Sequence, residues 1–144
     1  MKNYHYRDYI ATADAAFDAW GTSAEELFSA AVEATAGVMI EDPKSIDHSR
    51  QMCIRLDDSD MEMLLFRLLD EIVYYKDAES LLLLASRMSI TQSGSTWKLE
   101  AELEGETIDF SKHDMIVDVK AVTLHRFSVE KTEDGWMATV VLDI

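Results

Sequence analysis

A single cysteine in 144 residues leaves Cys53 nothing to pair with. An internal disulfide is excluded, as is any zinc site built on several thiolates. Cys53 lies between Met52 and Ile54 in a predicted strand, which reads as a buried, inert thiol rather than a nucleophile. Proline occurs once and glycine five times. A chain so poor in both, yet 48% hydrophobic, is neither disordered nor a linker-joined array. Basic residues are scarce too: 13 Lys and Arg stand against 28 Asp and Glu, a net charge of −15. Such a field repels phosphate backbones and argues against direct high-affinity binding of RNA or DNA. It favours a metal cation or a protein partner with a basic cleft, or simply keeps a small protein in solution. Long apolar runs are missing. The stretch from Leu81 to Ala85 is far too short to span a bilayer, and Met1 to Asp8 has no apolar signal core. A cytoplasmic protein with no membrane partner is expected.

Catalytic signatures are also lacking. There is no His-x₃-His, no Gly-rich phosphate loop, no Ser/His/Asp set and no paired-carboxylate glycosidase pattern. Motifs give little support for an enzyme.

What remains is a strong periodic pattern in one expected domain, residues 1–144. Residues 9–20 alternate loosely and end at Gly21, a first strand. Thr22-Ser23-Ala24-Glu25-Glu26 offers two overlapping capping boxes. Leu27, Phe28, Ala31, Val32, Ala34 and Val38 then recur at helical spacing, giving a helix over 23–38 that closes near Gly37. His48 to Leu56 reads as a strand. Asp58, Ser59 and Asp60 cap a second helix over 59–76, whose broad apolar face suits packing on a sheet. After Asp77 the period switches to two. Leu81 to Ile90 is a strand, Gly94-Ser95 a turn, and Trp97, Leu99, Ala101 and Leu103 alternate with charged residues in the next strand. Gly105 to Asp114 reads as a loop. Ile116 to Glu130 and Trp136 to Asp143 form a hairpin around Thr132-Glu133-Asp134-Gly135. The order β-α-β-α-β-β-β-β implies an α+β two-layer sandwich, an antiparallel or mixed sheet with two helices on one face.

The final strand runs straight into Asp143-Ile144, so an acidic side chain and an α-carboxylate are expected side by side on ordered backbone. Two carboxylates fixed this way suit a hard cation or a docking point. Asp14, in the first strand among Ala13, Ala15, Ala16 and Phe17, is either solvated on the outer face or held by a ligand. Alternation puts Lys120, Val122 and Leu124 on one face of a strand and Ala121, Thr123 and His125 on the other. Thr123 and His125 would then orient a carboxylate or phosphate, or make ordinary cross-strand contacts. His113, beside Lys112 in the loop, is expected to be solvent-exposed.

Thr12-Ala13-Asp14 with Trp20-Gly21, Gly105-Glu106 with Asp109 and Lys112-His113, Val119 to His125, and the ending Val140 to Ile144 together resemble the archease family. The resemblance covers essentially the whole chain. Its one departure is Ala11, where the family pattern has His. It implies the archease fold and a non-enzymatic role as activating partner of an RtcB-type RNA ligase in tRNA splicing and RNA repair. Such a partner promotes the ligase's guanylylation and multiple turnover. It also implies a divalent cation, Ca²⁺ or alternatively Mg²⁺, held by Asp14, Asp143 and a main-chain oxygen of Ile144, with Lys120, Thr123 and His125 as partner contacts. If the first and last strands pair, the carboxylates converge at one edge of the sheet and repel unless a cation or basic group lies among them. Two alternatives stay open. A small metal-dependent hydrolase would need His125 or His113 as its base. A chaperone-like adaptor would need Met61, Met63 and Phe66 exposed as an apolar patch.

Overall fold

A computed structural model of the chain describes residues 3–7 and 14–144. Strands β1 (Tyr4–Arg7) and β2 (Asp14–Gly21) lead into helix α1 (Ala24–Met39) and one 3₁₀ turn at Pro43–Ser45. Strand β3 (Arg50–Asp58) and helix α2 (Met61–Glu79) follow. Four strands complete the chain: β4 (Leu81–Ser93), β5 (Thr96–Thr107), β6 (Ala121–Thr132) and β7 (Gly135–Asp143). Among the described residues every strand pairing is antiparallel, and the strands divide into two sheets, ordered β1-β2-β7-β6 and β3-β5-β4. The α+β class is the one expected. Each helix packs against strands of both sheets, α1 on β2 and β4, α2 on β6, β3 and β4. The core is the apolar space between them, with Phe17, Leu27, Phe28, Leu65, Leu68, Leu69 and Ile72 almost wholly enclosed.

Local chemistry sets the helix ends. Ser23 Oγ accepts from Glu26 N at 3.1 Å, and the Glu26 carboxylate reaches back to Thr22 Oγ1 at 3.2 Å, a reciprocal cap. Asn3 Nδ2 donates to the same carboxylate and ties the N-terminal segment to α1. Asp60 caps α2 by accepting from Glu62 N. Helix α1 does not stop at Gly37. A side chain there would meet the Tyr6 hydroxyl, which donates to Ala34 O, so Gly37 makes room for β1 instead of ending the helix.

Four further segments differ from the sequence reading. Strand β1 was not foreseen; its four residues are too few to show a period. The predicted loop from Gly105 begins only after Thr107. Gly105 lies inside the central strand β5, where a Cβ would come within 1.8 Å of Leu82 O. The predicted strand from Ile116 begins at Ala121: Ile116 N bonds to Met39 O at the end of α1, and regular pairing with β7 starts only after Lys120 N has reached Asp143 O. Cys53 is exposed, since it lies on the solvent face of β3 opposite Glu102. The expected strand start at residues 9–13, Ala11 included, lies outside the described residues.

Candidate functional site

Strands β2 and β7 are neighbours in the interior of the four-stranded sheet, and Asp14 is the register partner of Asp143. Phe17 and Ala19 of β2, with Val140 and Leu142 of β7, point into the core. Alternation therefore sends Asp14 and Asp143 out through the opposite face, side by side in the end row of the sheet. Their neighbours in the next row on that face, Ala16 and Val141, are buried, so the two half-buried acids do not stand on an open, fully wetted surface. Like charges directly opposite each other weaken a sheet, by a few tenths to about 1 kcal/mol. A cation or basic group between them would reverse that sign.

Ile144 is half-buried and packs against the core, which holds its main chain beside the pair. Carboxylates plus a main-chain oxygen form an oxygen-only set, suited in kind to Ca²⁺ or Mg²⁺ and not to zinc. Among the described residues no three His, Cys, Asp or Glu side chains come together as a metal cluster. Among the described residues, a cation at this pair would find its further protein ligands in main-chain oxygens.

The segment beside Asp143 is anchored from below. Lys76 in the last turn of α2, its side chain only 4% exposed, donates to Val119 O at 2.7 Å, to Asp118 Oδ1 at 2.5 Å and to Asp77 Oδ1. Burial works against its charge, but the bonds to Asp118 and Asp77 outweigh it, and its pKa is raised above the ordinary lysine value. The next residue, Lys120, donates its backbone N–H to Asp143 O at 2.7 Å and leaves its side chain in solvent.

The expected alternation through Lys120 to His125 holds only as far as Thr123. Ala121, Val122 and Thr123 pair with Asp143, Leu142 and Val141, after which pairing resumes only at Ser128 opposite Thr139. Leu124, His125 and Arg126 bulge outward, and Phe127 returns to the core side against Phe66. Leu124 is 60% exposed instead of sharing the buried side of Val122, and Arg126 has a left-handed backbone with φ of 55°. Thr123 Oγ1 donates to Val141 O at 3.1 Å, an ordinary cross-strand contact. His125 is exposed on the bulge and makes no hydrogen bond or ion pair with the described residues.

His113 is not the exposed loop residue expected. It is 2% exposed, and its Nδ1 accepts from Asp109 N at 2.9 Å. That bond assigns the ring proton to Nε2, which lies 3.1 Å from Glu106 Oε2. Asp47 N and Lys112 Nζ donate to the same Glu106 oxygen, at 2.5 and 2.7 Å. Burial alone would raise the pKa of Glu106; the donors from Asp47, Lys112 and His113 outweigh it and bring the value down to about 2. The quoted motif Gly105-Glu106, Asp109, Lys112-His113 is thus a staple closing the β5–β6 connection. Both ring nitrogens of His113 are engaged, which leaves it unfit as a base for Asp14 and Asp143. Met61, Met63 and Phe66 are buried or half-buried, with Phe66 edge-on to Phe127, so these three side chains do not form the exposed patch an adaptor would need.

Sequence reasoning missed Asp18. It faces outward with Asp14 and is almost buried, accepting from Thr139 Oγ1 at 2.7 Å beside His5 Nε2 at 3.1 Å and Arg7 Nε at 3.8 Å. Its signal was present: Asp14, Ala16, Asp18 and Trp20 share one face. An open cleft of about 440 Å³ on the outer face of the three-stranded sheet lies on other strands. Of its charged residues, Arg55 pairs with Glu100, and Arg67 donates to Asp57 O.

The sequence profile of the archease protein family matches residues 4–144. The chain belongs to the archease family. It is 34% identical over 144 residues to the archease of Methanosarcina barkeri, covering 99% of this chain and 97% of that one. The Pyrococcus abyssi archease is 32% identical, with both chains covered completely. A solution structure of a Methanobacterium thermoautotrophicum protein superimposes with a TM-score of 0.85 at 30% identity, over the full length of both chains. A crystal structure from Thermotoga maritima, of an archease described as a possible chaperone, shares the fold with a TM-score of 0.58 at 22% identity, covering 97% of this chain and 98% of that one. In this archease chain the family-like residues at 105–113 build the staple, and those at 119–125 and 140–144 build the row around Asp143.

Proposed function

We propose that this archease is a non-enzymatic activating partner of an RtcB-type RNA ligase, promoting ligase guanylylation and multiple turnover in tRNA splicing and RNA repair in the cytoplasm. Family membership supports the reading, and the outward-facing Asp14–Asp143 pair is the observation that carries it. In this reading the pair and a main-chain oxygen of Ile144 hold a divalent cation, Ca²⁺ or Mg²⁺, which supplies charge neutralisation at an acidic tip. The tip docks at the cationic, metal-containing active site of the ligase, where Lys120 and His125 reach the partner. Thr123 keeps the β6 backbone on β7 beneath them. The net charge of −15 disfavours RNA and favours a basic protein surface, which supports the ligase as the partner.

The test is a ligation assay with the cognate ligase, GTP, Mn²⁺ and excess RNA. The wild-type chain is expected to raise turnover number and guanylylation rate, and Asp14→Ala and Asp143→Ala to abolish the effect without unfolding. Unchanged ligase kinetics with the wild-type chain would end the proposal. Added Ca²⁺ should also raise the melting temperature of the wild type by mass action. A shift that survives in Asp14→Ala would move the cation elsewhere.

A further inference from the structure

The carbonyl that Lys76 holds and the N–H that bonds to Asp143 belong to one peptide group, that between Val119 and Lys120. The two bonds lie on opposite sides of the same amide. A charged donor on its carbonyl polarises the amide and strengthens what its N–H donates. We infer that Lys76 is a positioning residue for the acidic pair: gripping the Val119–Lys120 peptide from beneath, it fixes the Asp143 backbone and the point from which Lys120 leaves the sheet. This rests on the reading of Asp14 and Asp143 as the working site, and it adds a residue from helix α2, which packs against β6.

Three features separate this grip from a generic buried ion pair. The ammonium has three N–H groups, and Asp77, Asp118 and Val119 O engage all three. Residues 116–120 precede the β6–β7 ladder, which starts at Ala121, so among the described residues the backbone here is held at Ile116 by Met39 O, at Val119 by Lys76 and at Lys120 by Asp143 O at the end of β7. Val119 itself is fully enclosed, which places the gripped peptide at the boundary between core and outer face. Two carboxylates alone would hold Lys76 in place; the main-chain acceptor makes the contact directional.

The experiment uses the full chain and compares wild type, Lys76→Met, Lys76→Arg and Asp143→Ala. Hydrogen exchange followed residue by residue should show the Lys120 amide protected in the wild type and exchanging about tenfold faster in Lys76→Met, while Val140 in β7 keeps its protection. Lys76→Arg, which keeps a charged donor within reach of Val119 O, should restore most of it. The Ca²⁺ concentration at half of the thermal shift should rise severalfold in Lys76→Met, and ligase activation should fall with it. Should Lys76→Met fail to fold, Asp118→Asn carries the test, because it loosens the ammonium without emptying the core; faster Lys120 exchange is again expected. A Lys120 amide as protected in the folded variant as in the wild type overturns the inference. Neither exchange nor the Ca²⁺ shift needs the ligase, so a wild-type chain that fails to activate it would sink the proposed function and leave the role of Lys76 to those two measurements.

Discussion

Glu106 shows how much one side chain can hold. Its carboxylate receives a backbone N–H, a lysine and the neutral His113, and together they close the connection that leads to Lys120. Its folded pKa of about 2 lies below the ordinary 4.5, so the unfolded chain takes up this proton first as the pH falls. The stabilisation is complete above about 4.5 and disappears as the pH drops through about 2. Glu106→Gln should therefore be less stable at neutral pH and lose less between those limits, a difference on the order of 2 kcal/mol. Urea denaturation across the acid range measures it; parallel pH curves for wild type and variant would show that the staple carries no stability.

At the scale of elements, the β6 bulge trades regular pairing for reach. It lifts Leu124, His125 and Arg126 out of the ladder, at a position where a non-glycine residue adopts a left-handed backbone. Left-handed geometry costs about 1–2 kcal/mol, and glycine gives back about 0.5–1 through the freedom of the unfolded chain. Arg126→Gly should thus stabilise by about 0.5 kcal/mol, seen as a higher urea midpoint at constant slope. A lower midpoint would mean that the arginine side chain secures the bulge.

The same bulge marks what the sequence could say. Both helices were legible because their apolar spacing persists over several turns and their caps are local chemistry, Ser23 with Glu26 and Asp60 with Glu62. Asp143 was legible as a candidate because it closes a clearly patterned strand beside Ile144, and Asp14, within a loosely alternating strand, through the family resemblance. The division into two sheets was not, since alternation reports which side of a strand is wet and says nothing of which strand lies beside it. Nor was the bulge, where period two fails without glycine or proline to announce it. Gly105 misled for the opposite reason: it serves close packing against Leu82, and glycine is read by habit as a turn. His113 and Lys76 escaped because their partners, Glu106 and Val119 O, are brought to them by the fold.

For the molecule as a whole, charge governs encounter. A chain at −15 approaching a basic cleft is steered over distances that salt shortens, the Debye length being about 10 Å at 0.1 M. If the proposed ligase is the partner, raising NaCl from about 0.05 to about 0.5 M should slow association with it at least about tenfold and change dissociation far less. Stopped-flow mixing checks this, and an association rate indifferent to salt would remove steering from the account.

The adjacency of β2 and β7 has a consequence in time. A ribosome that has made residue 14 must make everything up to residue 143 before the two acids meet. Until then β2 has β1 on one flank and an open hydrogen-bonding edge on the other, in the middle of what will be the four-stranded sheet. Contacts between residues so far apart in sequence form late and slowly. The acidic pair therefore forms only after all of α1, α2 and the second sheet have been made. A chain cut short anywhere before β7 displays a sticky, unfinished sheet and no paired acids, so quality control has something to seize before the acidic pair exists.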